Sequence, residues 1–200
     1  MGRSRDENTR SEYLETIVNE SERLARLVDN VLDFSKIEQG KKIYRLRPAR
    51  LEEVAGSAVR AMQFPLAQQG FRLHFSVKRE LPELQVDADA IQQAILNLLT
   101  NAMKYFGDAR EIDLTVAARN GDAAIEVKDR GLGLAPDEQK HIFEEFYRAP
   151  SNESRLIAGT GLGLTLVAHI AKAHHGRVEV ESAPGAGSTF SILLPIEANA

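Results

Sequence analysis

Along the first forty positions, Leu14, Ile17, Ser21, Leu24, Val28, Val31 and Ser35 recur at alternating intervals of three and four. That spacing is a heptad seam and predicts a long amphipathic helix. Val18, Ala25 and Leu32 widen the stripe on one flank, Leu27 and Phe34 on the other. The resulting face is broader than a two-stranded coiled coil needs and suits a helical bundle. At about 1.5 Å per residue, residues 11–38 would span roughly 40 Å, longer than one small sheet would cover. Gly40 follows the last periodic positions and tolerates the left-handed conformation, so it reads as a C-terminal cap and a boundary between 1–42 and 43–200.

From Lys41 the period changes. A short strand is expected near 43–47, ended by Pro48, then a helix over about 51–69 on the stripe Leu51, Val54, Ala55, Ala58, Val59 and Met62. Phe71, Leu73, Phe75 and Val77 alternate with Arg72, His74 and Ser76, which predicts a strand with one buried face. A short strand at 84–86 leads to Asp87, an N-cap for a helix whose buried stripe is Ile91, Ala94, Ile95, Leu98 and Ala102. Strands near 112–118 and 123–128 are joined by the hairpin pair Asn120-Gly121. Helical signals resume at Pro136. A polar stretch from Ala149 to Thr160 precedes a helix that runs to His175, with Gly176 as its cap. Strands at 177–181 and 189–194 close the chain. Strands following strands, with helices between, predict a mostly antiparallel sheet with helices on one face, a two-layer α+β sandwich.

Composition narrows the function. Two hundred residues with a net charge of −4 lack the basic surplus expected of a nucleic-acid-binding or anionic-membrane-binding chain. The absence of cysteine excludes disulfides, thiolate metal sites and cysteine nucleophiles. No apolar run approaches the length of a membrane span, so no membrane contact and a cytoplasmic location are expected for this chain.

Three stretches carry candidate chemistry. Asn97, Asn101 and Lys104 fall at i, i+4 and i+7, placing two neutral amides and an ammonium on the helix face opposite the apolar stripe. Asp129-Arg130-Gly131-Leu132-Gly133 sets a carboxylate at a strand end beside two glycines, where it can accept from a ligand donor as the backbone approaches closely. Gly159-Thr160-Gly161-Leu162-Gly163 opens a helix, whose free N–H groups and dipole favour phosphate. It is neither a P-loop nor a dinucleotide fingerprint.

Taken in order, the paired-asparagine helix, Asp129-x-Gly-x-Gly, Ile142-Phe143-Glu144-Glu145-Phe146-Tyr147-Arg148 and the Gly-x-Gly-x-Gly helix start resemble the N, G1, F and G2 boxes of sensor histidine kinases. Residues 22–28 and 33–38 resemble the second helix of that family's dimerisation and phosphotransfer hairpin. The resemblance implies that 43–200 form the Bergerat-type ATP-binding sandwich of the GHKL superfamily, with ATP and Mg²⁺ as cofactors. Asn101 would ligate Mg²⁺ and Asn97 would support it; a neutral amide leaves the metal's charge to the phosphates. Lys104 and Arg148 would contact phosphate, Tyr105 would pack by the nucleotide, and Asp129 would read adenine. Gly131 and Gly133 would let the backbone close over the base. Gly159, Thr160, Gly161, Leu162 and Gly163 would form the lid over the phosphates, with 149–158 mobile in the absence of nucleotide. Thr189 would support Asp129.

The resemblance also implies a homodimer through residues 11–38 and a response-regulator receiver domain as partner. The family's acceptor histidine, followed by an acidic residue, has no counterpart before Tyr13, so the chain is expected to bind ATP without phosphorylating itself. None of His74, His141, His169, His174 and His175 has an expected acidic neighbour in a long-helix setting. Two alternatives share the nucleotide boxes: a protein-serine kinase of the anti-sigma-factor class, not expected to carry the heptad helix, and a nucleotide-binding module without activity.

Overall fold

The computed structural model describes residues 35–78, 81–149 and 160–196, together with residues 13, 21, 28 and 31–33. The chain forms two compact units, Met1–Lys42 and Ile43–Ala200. In the first, the described residues up to Glu38 are helical. Gly40, at φ +64°, ends this helix: its N–H donates to the Ile37 carbonyl and that of Lys41 to the Lys36 carbonyl, both at 2.8 Å. These paired bonds are a Schellman cap. Of the heptad seam, Ser21, Val28, Val31 and Ser35 are described and helical, while Leu14, Ile17 and Leu24 lie outside the described residues.

In the second unit, strand β1 (Arg47–Ala49) leads to helix α1 (Leu51–Gln68), β2 (Arg72–Val77), β3 (Leu84–Val86) and α2 (Ala88–Lys104). Strands β4 (Glu111–Arg119) and β5 (Asp122–Asp129) follow, then the single turn α3 (Pro136–Gln139), helix α4 (Gly163–Ala173), β6 (Arg177–Ala183) and β7 (Gly187–Pro195). Five strands form one sheet in the order β2-β4-β5-β7-β6, and β1 pairs with β3 in a separate ribbon. All pairings are antiparallel except β2 with β4. Helix α2 lies between α1 and α4 and packs on β5, with α1 against β2 and α4 against β6 and β7. The result is a two-layer α+β sandwich.

Helix α2 forms where the sequence places it. The Asp87 side chain accepts from the Ala90 N–H at 3.1 Å, and Ile91, Ala94, Ile95, Leu98 and Ala102 are all buried. In the β4–β5 hairpin, Asn120 and Gly121 take φ values of 51° and 89°, the signs a tight primed turn requires.

Three expectations are corrected. The strand expected near 43–47 forms at Arg47–Ala49 and contains Pro48, because a two-stranded ribbon has an open side for a residue without an N–H. Phe75 and Val77 remain 38% and 41% exposed, because β2 is the edge of the sheet and lacks neighbours on one side. At the end of α4, His175 holds the left-handed position, at φ 59°, rather than Gly176. Its N–H donates to the Lys172 carbonyl, and Gly176 donates to the Ala171 carbonyl at 2.8 Å. Gly176 is glycine for another reason: a β-carbon there would collide with the Leu193 carbonyl of β7.

The start of α2 and the end of α4 are tied by His174, which is buried. Its Nε2 accepts from the Asp87 N–H at 2.9 Å, and its Nδ1 lies 2.7 Å from the Ile170 carbonyl, so Nδ1 carries the proton of a neutral ring. Burial lowers its pKa, partly opposed by the Ile170 carbonyl. Asp87 also accepts from the Arg45 N–H at 2.8 Å, drawing the segment before β1 into the same joint.

Candidate functional site

A cleft opens between α2, the loop after β5, the segment after α3 and β7. Asn101 and Tyr105 enter it from α2, Asp129 from the end of β5, Arg148 from the segment after α3, and Ser188 and Phe190 from β7. Leu132, Leu134, Ile142 and Leu164 supply apolar wall. Such a mixture, mostly apolar with few polar groups, is typical of a small-molecule site.

Asp129 is only 6% exposed. Its Oδ1 accepts from the Gly131 N–H at 2.8 Å and from the Ser188 N–H at 3.2 Å. Burial raises its pKa, and the two backbone donors oppose the rise. Among the described residues only Oδ1 accepts a hydrogen bond, which leaves Oδ2 for a donor within the cleft. Tyr105 is likewise raised by burial, with the nearby Arg148 charge acting in the opposite sense.

The glycines beside Asp129 are required by the protein's own backbone. A β-carbon on Gly131 would collide with the Tyr105 carbonyl, and one on Gly133, at φ +68°, with the Ala183 carbonyl. The loop is therefore pressed between the end of α2 and the end of β6. Of the two, Gly133 lines the cleft.

The polar stripe of α2 is divided. Asn101 lines the cleft, while Asn97 lies a turn earlier against the start of α4, its Oδ1 3.7 Å from where a β-carbon on Gly163 would stand. The Asn97 Nδ2 is buried without a hydrogen-bond partner. Lys104 is outside the cleft lining. Thr160, Gly161, Leu162 and Gly163 lead into α4, with the Leu162 N–H 3.4 Å from the Thr160 hydroxyl, and none of the four lines the cleft. The Thr165 hydroxyl donates to the Glu144 carbonyl at 3.1 Å, fastening α4 to the segment after α3. Gly159 and residues 150–158 of the stretch expected to be mobile lie outside the described residues.

Thr189 does not reach Asp129. It borders the outer, polar face of the sheet with Lys128 and Glu181, while its neighbour Ser188 contacts the carboxylate. The signal for this lay in strand parity, since Ser188 shares a face with the buried Phe190. One histidine also departs from expectation: His141 Nδ1 stands 2.7 Å from Glu144 Oε1, so it does have an acidic neighbour, and it occupies turns after α3 rather than a helix. Among the described residues no group of His, Cys, Asp or Glu is arranged to hold a metal ion, and no helix is long and apolar enough to cross a membrane.

Residues 86–198 match the family of histidine kinase-, DNA gyrase B- and HSP90-like ATPases, and residues 1–40 match the His Kinase A (phospho-acceptor) domain. The chain belongs to this ATPase family and, within it, to the sensor histidine kinases of the GHKL superfamily, as their ATP-binding catalytic region. It is 31% identical over 193 residues to the sensor-like histidine kinase SenX3 of Mycolicibacterium smegmatis, covering 95% of this chain and 49% of that protein. It is 33% identical over 187 residues to the circadian input-output histidine kinase CikA of Synechococcus elongatus, covering 92% of this chain and 25% of that protein. The chain thus spans half or less of the length of these relatives. Among solved structures, full-length ShkA in complex with AMPPNP matches with a TM-score of 0.76 at 27% identity, over 94% of this chain and 40% of that one. The Acinetobacter baumannii histidine kinase AdeS matches at 0.71 and 20% identity, over 92% and 84%.

Proposed function

We propose that the cleft holds Mg²⁺-ATP and that this chain presents the γ-phosphate to a histidine outside residues 1–200. The observation that carries this is the buried Asp129 carboxylate, fixed by two backbone N–H groups and sharing one cleft with Asn101, Tyr105 and Arg148. Its remaining oxygen accepts from the exocyclic amine of adenine, and Leu132, Leu134, Ile142 and Phe190 exclude water around the ring. Tyr105 packs beside the nucleotide. Lys104 and Arg148 offset phosphate charge, and the backbone over 159–163 closes across the phosphates at the start of α4. Gly131 and Gly133 hold the loop close enough for the base to seat.

The donor set fits a metal carried in with the nucleotide. With no carboxylate cluster among the described residues, the Asn101 amide oxygen would hold Mg²⁺, which would supply charge neutralisation for the triphosphate. The buried, unpartnered Nδ2 of Asn97 suits an anionic oxygen beside it.

Residues 11–38 pair with the same segment of a second copy, and a response-regulator receiver domain receives the phosphoryl group from the acceptor histidine. The setting is cytoplasmic. Calorimetry tests the site: ATP should bind in the presence of Mg²⁺, and Asp129→Ala should abolish binding while the protein stays folded. Undiminished affinity in Asp129→Ala would overturn the assignment.

A further inference from the structure

Behind Asp129 a second set of hydrogen bonds converges on one hydroxyl. Ser182, on β6, donates to the Gly187 carbonyl at 2.9 Å, accepts from the Leu134 N–H at 2.8 Å, and lies 3.0 Å from the Ser188 hydroxyl. A serine hydroxyl has one proton. Since that of Ser182 goes to Gly187, the proton between the two hydroxyls must come from Ser188. The Ser182 carbonyl is held in turn by the Gln139 amide at 2.9 Å, which also donates to the Leu134 carbonyl at 3.1 Å.

Ser188 lines the cleft and gives its backbone N–H to Asp129. With its hydroxyl proton committed to Ser182, it offers the cleft lone pairs only. Asp129, as a carboxylate, likewise only accepts. We infer that Ser182 is a positioning residue that fixes Ser188 as an acceptor, so that two acceptors face the base and the site selects a purine bearing an amine over one bearing a carbonyl. This rests on the proposal that the cleft takes the base of ATP.

Without the Ser182 hydroxyl, the Ser188 proton is released and can turn toward a carbonyl in the cleft. The probes are ATP and inosine triphosphate, which differ at the exocyclic position, an amine against a carbonyl, and at the adjacent ring nitrogen, an acceptor against an N–H donor. Their affinities are measured by calorimetry on the whole chain, with thermal melting to check folding. The wild type should prefer ATP; Ser182→Ala should narrow the preference by about tenfold, chiefly by strengthening inosine triphosphate. Ser182→Thr, which restores a hydroxyl, should keep the wild-type ratio, and in a Ser188→Ala background Ser182→Ala should leave the ratio unchanged.

Equal weakening of both nucleotides in Ser182→Ala would overturn the inference, since a residue that only braces the β6–β7 turn does not alter the ratio. Should Ser182→Ala fail to fold, Ser182→Cys fills the same space with a weak hydrogen-bonding group and must narrow the ratio; an unchanged ratio there also overturns it. Failure of the underlying site assignment is distinguishable, because the wild type would then bind neither triphosphate, or Asp129→Ala would leave their ratio unchanged.

Discussion

At Asp129 burial and hydrogen bonding act in opposite directions, and burial is the larger effect. Its pKa is raised, so the protonated form persists above the usual carboxylate range, and that form no longer offers two acceptor oxygens. ATP affinity should therefore fall as pH descends through the raised value, beginning at a higher pH than an exposed aspartate would cause. Calorimetric titrations across that interval should show the step in the wild type and not in Asp129→Asn. GTP, which carries a carbonyl where ATP carries the amine, should bind at least about a hundredfold more weakly. Asn101→Ala should remove the Mg²⁺-dependent part of ATP affinity, and equal affinity with and without Mg²⁺ in the wild type would remove Asn101 from its proposed role. Asp129 was legible because a carboxylate between a strand and two glycines is chemically conspicuous. Ser188 was not, because Ser188 and Thr189 are adjacent small hydroxyl residues, separated only by which side of β7 they face. That side is set by strand parity, which singles out Ser188 only once Phe190 is known to face inward.

At the level of elements, α2 serves both the core and the site, since one stripe fills the core and Asn101 on the opposite side lines the cleft. Ile95, fully buried, should cost about 2–5 kcal/mol when replaced by alanine, measured by denaturant unfolding. His174 sets a second dependence. Burial lowers its pKa in the folded chain, so the unfolded chain takes up the proton first. Stability is therefore full above the ordinary histidine value of about 6.5 and declines as pH falls through it toward the lower folded value. A proton on Nε2 would face the Asp87 N–H it now accepts. Melting temperature should drop on mild acidification in the wild type and less in His174→Gln, and equal drops would place the effect elsewhere. Helix periods and caps were readable because they are local. The exchange of roles between His175 and Gly176 was not, because the close approach of β7 reserves the glycine for packing.

For the molecule as a whole, the order of the motifs conveyed the sandwich, while strand order, the parallel β2–β4 pair and the exposed β2 edge required the fold itself. The heptad face predicts self-association, since so wide an apolar stripe on a single helix exceeds what monomers usually expose. Light scattering at high micromolar concentration should give a dimer mass; a monomer with the helix still formed would contradict it. Among the five histidines, His174 spends both ring nitrogens on the backbone, and His141, with Glu144 beside it, is the position at which self-labelling would first be sought.

The decisive measurement is phosphate transfer from ATP. The chain is incubated with γ-labelled ATP and Mg²⁺, alone and with a second chain that carries the acceptor histidine helix of a related kinase, and acid-labile label is located by mass. Label is expected on the added helix and none on this chain, and Asp129→Ala should abolish the label on the helix. Acid-labile label on this chain alone, at His141 or elsewhere, would contradict it.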